Sequence, residues 1–301
     1  VRIKKLNCVL LPSTLNPDYK KVIETYCNAK NIEIDYMPQK NGVIDLERLK
    51  NLDRAYSCIL IQSPNYLGCV EDVLELSDIA KSIKAMFIVC ADPVLLSLLE
   101  APGHYGADIA VGEIQSLGIP MSLGGPGGGF MACKSDYLRQ IPGRIVGMTV
   151  DKNGNRAFTL TMQTREQHIR REKSTSNICS NQALMVLWAT VYMSLAGFDG
   201  LKEISEISYH RAHYLAKKIA EIPGLEVLYP NFINEFVIKI DPSLGGVDDV
   251  LYELEKENIF GGIKLDDKFS NYKNCMLICV TEMNSVDDIY RYINVLKQKF
   301  S

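Results

Sequence analysis

Short apolar runs alternate with amphipathic segments along the first part of the chain. The apolar runs have the length of buried strands, and they are Asn7–Leu11, Ile32–Met37, Cys58–Gln62, Ala85–Val89 and Asp108–Val111. The amphipathic segments predict helices, and they are Asp18–Asn28, Leu46–Leu52 and Glu71–Ile83. Strands that alternate with helices form βαβ units, so the pattern predicts a mostly parallel sheet with ligands at the carboxyl ends of its strands.

The pattern then changes. Phe130–Lys134 predicts a further strand, and Gly143–Val150 and Arg156–Met162 predict a hairpin whose turn contains Asn153-Gly154. A helix is expected over Asn181–Leu195, and the break at Ala196-Gly197-Phe198 marks the expected domain boundary. The elements expected beyond it are helices Gly200–Ile222, Val247–Asn258 and Val286–Phe300 with strands Leu225–Leu228, Phe236–Ile240 and Met276–Val280. The prediction is therefore a large domain at residues 1–196 and a small α+β domain at 197–301.

Composition narrows the class of protein. Of the 301 residues, 47% are hydrophobic and 23% are charged, as in an ordinary globular protein. The net charge of −3 gives no global electrostatic case for binding nucleic acid or an anionic membrane. We expect no apolar run long enough to span a bilayer and no signal peptide at the start, so the expected location is the cytoplasm.

The cysteines do not form a recognisable site. There are nine, an odd number, with irregular spacing and no Cys-x-x-Cys pair, and the chain has only four histidines. Most of the cysteines lie in apolar runs. This usage indicates reduced, buried thiols, and no metal site is expected.

The most informative chemistry concerns Asp92 and Gln115. Asp92 follows a predicted buried strand, and Gln115 lies 23 residues later. Pyridoxal-phosphate enzymes place an aspartate against the pyridinium nitrogen and a lysine at the Schiff base. The spacing fits, but an amide cannot form an imine. The chain therefore has the pattern of a pyridoxal-phosphate enzyme without its catalytic lysine.

A glycine-rich loop follows, at Gly124-Gly125-Pro126-Gly127-Gly128-Gly129. It is neither a Walker A loop nor a dinucleotide-binding fingerprint, so a structural role and close approach to a ligand or another chain stay open. His104 stands alone in a loop, where histidines are more often structural than catalytic. The paired carboxylates Asp248-Asp249 and Asp287-Asp288 are typical of the first turn of a helix.

A dense polar run separates the hairpin from the following helix. Its cations form what we call the basic turn, namely Arg165, His168, Arg170, Arg171 and Lys173. Ser174–Asn177 follows and is too polar to continue a helix. A solvated helix face is the simpler interpretation. Contact with an anion or a partner is the alternative, because the polar turn leads directly into a buried helix.

These runs together resemble the glycine cleavage system P-protein (glycine decarboxylase), in particular subunit 1 of the two-subunit bacterial type. The resemblance covers essentially the whole chain. The runs that carry it are Ala107–Pro120, Gly143–Gly147, Arg165–Cys179 and Asn234–Val237. It departs from the family in two respects. The Gly127–Gly129 loop is richer in glycine than usual, and we expect the chain to lack the substantial N-terminal segment by which the family's subunit helps wrap its partner.

The resemblance implies an α/β fold, with a type I pyridoxal-phosphate-transferase-like (aspartate aminotransferase-like) large domain and a C-terminal small domain. It also implies an α2β2 assembly in which subunit 2 holds pyridoxal phosphate through its lysine. The reaction would be glycine decarboxylation, with the aminomethyl group passed to the lipoyl arm of the H-protein. Gln115 is then the normal residue of this subunit.

Two other hypotheses stay open. The chain could be a self-sufficient pyridoxal-phosphate enzyme that uses Lys134 or Lys173, or a non-enzymatic interaction protein that kept the fold. No catalytic residue is expected in the chain itself. The pocket or interface candidates are Asp92, His104, Gln115, Ser116, Gly124, Gly125, Arg171, Lys173, Ser176 and Asn177.

Overall fold

The computed structural model of the chain describes residues 1–50, 52–162, 166–174 and 182–300. Its first sheet has six strands in the order β2-β1-β5-β6-β7-β8. They are β1 (Cys8–Pro12), β2 (Glu33–Met37), β5 (Cys58–Gln62), β6 (Met86–Cys90), β7 (Ile109–Glu113) and β8 (Gly129–Cys133). The first five are parallel and β8 runs antiparallel to β7, so the predicted mostly parallel sheet is confirmed.

Helices flank this sheet where the pattern predicted them, the first one residue longer than expected and the other two shorter. They are α1 (Pro17–Asn28), α2 (Leu46–Leu49) and α3 (Val73–Ser82). Side chains of Asn16 and Asp72 accept hydrogen bonds from the first turns of α1 and α3, which fixes where these two helices begin. The pattern missed a two-residue pairing between β3 (Gln39–Lys40) and β4 (Val43–Ile44), because strands this short carry no periodic signal.

The predicted hairpin forms from β9 (Ile145–Val150) and β10 (Arg156–Thr161). Its register pairs Met148 with Phe158 and Val146 with Leu160. Successive residues of a strand point to opposite faces, so residues two apart and their cross-strand partners share a face, as these four side chains do. A short helix, α4 (Gln167–Arg170), follows the hairpin.

The long helix α5 (Ala183–Ala220) contains both helices that were predicted around the break. Gly197, at φ 62° and ψ −174°, is non-helical and separates its two parts, so the break lies where the sequence indicated. The expectation that no run could span a bilayer was wrong by length and composition alone, because α5 is long enough and apolar enough to do so. The part before Gly197 spans only about 21 Å at 1.5 Å per residue, against a hydrocarbon core of about 30 Å.

The second sheet lies towards the C-terminus and has the order β11-β12-β14-β13. Its strands are β11 (Leu225–Val227), β12 (Glu235–Ile240), β13 (Ile263–Lys264) and β14 (Cys275–Cys279), and its helices are α6 (Val247–Lys256) and α7 (Val286–Phe300). One face of the sheet forms a core with α6, α7 and the second part of α5. The boundary at 196/197 stays a prediction.

Candidate functional site

Asp92 lies just beyond the carboxyl end of β6, where a ligand is expected in a parallel sheet. Its Oδ1 accepts hydrogen bonds from the backbone N–H groups of Val94 (2.8 Å) and Leu95 (3.4 Å) and from the Ser116 hydroxyl (3.2 Å). Burial raises the pKa of Asp92, and these three hydrogen bonds oppose the rise. The fold therefore brings Asp92 and Ser116 together, although they are distant in sequence.

Gln115 precedes Ser116 in the segment that leaves β7, and it is half-buried. Its neighbours Ile114 and Leu117 are buried against Met185 and Ala189 of α5. The Gln115 carbonyl accepts a hydrogen bond from the Ile119 N–H (3.1 Å). The packing of Ile114 and Leu117 against α5 and the hydrogen bond from Ile119 thus hold the backbone at Gln115, next to the Ser116 that contacts Asp92.

The second sheet supplies further groups to the same place, and together they form what we call the crevice. Burial and, to a smaller extent, the nearby charge of Asp92 raise the pKa of Glu235 to about 7, and a hydrogen bond from the Cys279 thiol opposes the rise. Desolvation, followed by the charges of Glu235 and Asp92, raises the pKa of Cys279. The Asn234 side chain donates to Cys279 Sγ at 3.8 Å.

Tyr19 of α1 and Glu113 of β7 complete the crevice. Burial raises the pKa of Tyr19 to about 12, with contributions from Cys90, Glu113 and Asp92. The Tyr19 hydroxyl hydrogen-bonds to Glu113.

These crevice residues do not fit pyridoxal phosphate. The neighbours that shift the pKa of Asp92, Glu235 and Cys279 in the described chain include no cation. A phosphate needs cationic or N–H donors, and a Schiff base needs an amine. The crevice instead holds carboxyl groups, and the residue before Ser116 is Gln115, whose side chain is an amide.

His104 and Lys134 lie at the other edge of the sheet. The His104 loop precedes β7, its side chain is 75% exposed, and Nδ1 lies 4.0 Å from Glu100 Oε1. The Lys134 ammonium donates to Asp108 Oδ1 (2.8 Å) and to the Gly106 carbonyl (3.0 Å) at the amino end of β7. A five-residue strand spans roughly 13 Å or more, so neither side chain joins Asp92.

The glycine-rich loop lies at the same edge as Asp92. The Gly128 carbonyl accepts a hydrogen bond from the Ile114 N–H at 3.0 Å. Gly124 and Gly125 have φ values of 108° and 148°, which favour glycine, and nothing within 4 Å would meet a side chain at Gly124. At Gly124 the backbone conformation is the local reason for glycine, and the described chain makes no close approach there.

The basic turn is exposed where the structure describes it. Arg171 and Lys173 are exposed in a single helical turn after α4, and Arg171 has a φ of 51°. Glu166, before α4, is buried, and its Oε2 lies 4.0 Å from Arg144 Nε. Arg165, Ser176 and Asn177 lie outside the described residues.

Two groups of exposed apolar side chains lie on the hairpin and on α5, and together we call them the open face. On the hairpin it includes Val146, Met148, Val150, Phe158 and Leu160, which are 46–73% exposed. On α5 it includes Leu184, Leu187, Val191 and Leu195 before Gly197 and Phe198 directly after it, which are 50–84% exposed. The opposite stripe of that helix, at Met185 and Ala189, is buried. Contiguous apolar patches of this kind mark interaction sites.

Sequence reasoning did not identify the roles of Tyr19, Glu113, Glu235 and Cys279. Glu235 and Cys279 reach Asp92 from the second sheet, whereas Tyr19 and Glu113 come from α1 and β7 beside it, so no local pattern links the four residues. The run Asn234–Val237 was one of the four that carried the family resemblance, and this was the one available signal for Glu235.

Comparisons with known proteins show which family the chain resembles. The family model of the glycine cleavage system P-protein matches residues 1–296. A probable glycine dehydrogenase (decarboxylating) subunit 1 from Desulforamulus reducens is 46% identical over 93% of this chain and 63% of its own length. The corresponding protein from Dictyoglomus turgidum is 44% identical over 99% of this chain and 66% of its length. The chain thus spans just under two thirds of these relatives.

Solved structures give the same result. A crystal structure of glycine decarboxylase (P-protein) of the glycine cleavage system, in inhibitor-bound form, superimposes with a TM-score of 0.90 and 34% identity, over 99% of this chain and 67% of that one. A NifS-like protein from Rickettsia africae, at TM-score 0.71 and 18% identity over 99% of this chain and 78% of that one, supports the fold alone. The fold is therefore that of type I pyridoxal-phosphate-dependent transferases, and the chain belongs to the glycine cleavage system P-protein family.

Proposed function

We propose that this chain is the lysine-free subunit of a glycine decarboxylase, and that it supports a pyridoxal-phosphate site held by a second subunit. The observation that carries the proposal is Gln115. It stands at the lysine position beside Asp92, in a chain that matches subunit 1 proteins along its length. Pyridoxal phosphate supplies an electron sink for decarboxylation when bound, and the described residues of the crevice include no amine to hold it.

The partner would be subunit 2 in an α2β2 assembly located in the cytoplasm. The substrates would be glycine and the lipoylated H-protein, which accepts the aminomethyl group. The open face supports this arrangement, because an apolar hairpin face of about 50–70% exposure is unfavourable in water. The basic turn follows the hairpin along the chain, and its exposed cations are available to pair with acids of a neighbouring subunit.

Co-expression with subunit 2 tests the proposal. We expect the two chains to co-purify, and the pair to release CO2 from glycine in the presence of lipoylated H-protein while each chain alone is inactive. The isolated chain should show no visible absorbance after incubation with pyridoxal phosphate. Activity of this chain alone, or a borohydride-reducible adduct on Lys134 or Lys173, would overturn the proposal.

The interaction-protein alternative gives a different result in the same experiment. It requires that subunit 2 be equally active with and without this chain. Full activity of subunit 2 alone would therefore favour that alternative, whether or not the two chains associate.

A further inference from the structure

The second sheet buries both of its faces. Part of its second face is covered by the loop that follows β5 of the first sheet. Val237, Cys275 and Leu277 lie on this face, and Leu67 and Cys69 pack against them. Leu67 and Cys69 belong to Ser63–Glu71, the segment between β5 and α3, which we call the connecting loop. The loop therefore joins the two sheets through its own packing.

The contact is close at the level of the backbone. A Cβ on Gly68 would lie 1.9 Å from the carbonyl oxygen of Glu235. Cys69 and Phe232 form an antiparallel bridge, and the Val70 N–H donates to the Asn231 carbonyl at 3.2 Å. The loop thus holds the start of β12, which carries Glu235 into the crevice.

One buried carboxyl keeps the connecting loop in this shape. Glu71 is 4% exposed, and its side chain accepts hydrogen bonds from the Asn65 amide (2.7 Å), the Ile44 N–H (2.9 Å) and the Thr14 hydroxyl (3.4 Å). The Glu71 N–H donates to Ser63 Oγ at 3.2 Å. Glu71 therefore ties together β4, the loop after β1 and both ends of the connecting loop.

Among the residues that the structure describes, no cation compensates this carboxylate. The groups that shift its pKa are all uncharged: burial raises it to about 7, while Asn65, Ile44 and Thr14 lower it. The titratable group that faces Glu71 is the Cys69 thiol, whose pKa rises mainly through burial and secondly through Glu71. A proton on Glu71 removes a buried charge, whereas the open loop would let water solvate the carboxylate.

We propose that Glu71 makes the docking of the second sheet on the connecting loop depend on pH, with the loop held more firmly in slightly acidic than in slightly alkaline solution. Opening the loop returns the carboxyl to water, where it ionises readily. Rising pH therefore favours the open form until Glu71 is ionised in both forms. The start of β12, and with it Glu235, follows the loop.

Hydrogen exchange on the whole chain, followed by mass spectrometry, tests this inference. Exchange at pH 6 and pH 8 is corrected for the intrinsic rate, and protection is compared in peptides covering residues 63–71 and 234–240. A carboxyl whose pKa falls from about 7 to about 4.5 on opening makes opening about tenfold more favourable between these two pH values. Peptides from β6 should keep equal protection at both.

Three variants assign the effect. Glu71→Gln cannot titrate and should abolish the tenfold ratio, whereas Glu235→Gln, at the other carboxyl with a pKa of about 7, should retain it. Gly68→Ala should weaken protection equally at both pH values. A pH-independent protection of residues 63–71 in the unmodified chain overturns the inference even if Glu71→Gln fails to fold. So does loss of the ratio in Glu235→Gln with retention in Glu71→Gln.

Discussion

The two parts of α5 compare a region that completes its own packing with one that does not. After Gly197, the helix buries Ala212, Leu215 and Ile219 in the core of the second sheet. Before Gly197, it buries only a narrow stripe against Gln115's segment and exposes Leu184, Leu187 and Leu195. Apolar side chains stabilise a fold only where they leave water. The second part of the helix therefore stabilises the isolated chain, and the first part is suited to a partner.

The largest expected effect sharpens this comparison directly. Ile238→Ala removes a fully buried side chain from the core of the second sheet, and it should destabilise the isolated chain by about 2–5 kcal/mol. Leu187→Ala, at a side chain 59% exposed, should change stability by no more than about 0.5 kcal/mol. Urea unfolding measures both. Equal losses would mean that the open face is covered in the isolated chain.

The basic turn tests the partner side of the comparison. If Lys173 pairs with a desolvated acid of subunit 2, Lys173→Ala should cost the reconstituted pair about 2–5 kcal/mol, whereas a rim charge changes mainly the association rate. Lys217→Ala, in the second part of α5, is the exposed control. Decarboxylase activity at saturating subunit 2 is the measurement. Equal activity of the two variants, with folding unchanged, would identify the basic turn as a solvated face.

The pH dependence of global stability probes the contact between the two sheets. The pKa of Glu71 rises from 4.5 to about 7 on folding, so its contribution is fully present below pH 4.5 and is lost as pH rises to about 7. This shift corresponds to at most about 3 kcal/mol. Urea midpoints at pH 5 and pH 8 should differ less in Glu71→Gln than in the unmodified chain. The exposed control Glu203→Gln should behave like the unmodified chain, and an identical pH dependence in Glu71→Gln would contradict the expectation.

The smallest effect concerns self-association through the open face. We expect the isolated chain to form dimers or larger species at micromolar concentration, because the described residues leave this apolar surface exposed. Phe158→Glu, on the hairpin face, should shift sedimentation towards the monomer without changing unfolding. Tyr252→Glu, at an exposed aromatic of α6, is the matched control. A clean monomer before any substitution would show that the open face is too small to drive association.

Much of the fold was predictable because periodicity is local. The alternation of short apolar and amphipathic segments identified the parallel strands, and Asn153-Gly154 identified the hairpin turn. The start of α3 was placed too early, because the capping side chain of Asp72 fixes it and the pattern does not, and the end of α2 was placed too late, since the helix ends at Leu49. The β3–β4 pairing was missed because strands of two residues carry no periodic signal.

The candidate site was less accessible to sequence reasoning. Asp92 and Ser116 were recognisable from their position after two strands, and the structure joins them at 3.2 Å. The sequence around His104 could not show at which end of β7 the side chain lies. The structure places it near the amino end of β7, away from Asp92. Whether Arg171 and Lys173 contact a partner stays a prediction, since both are exposed in the chain alone.

The sequence by itself determined the family, the α/β alternation and the lack of a lysine at Gln115, because each of these depends on residue identity and short-range order. Tertiary structure alone decided that Glu235 and Cys279 meet Asp92 in one crevice and that Glu71 is buried with no cation. It also decided which part of α5 is covered. These outcomes depend on contacts between segments far apart in sequence, where burial and charge have no local pattern.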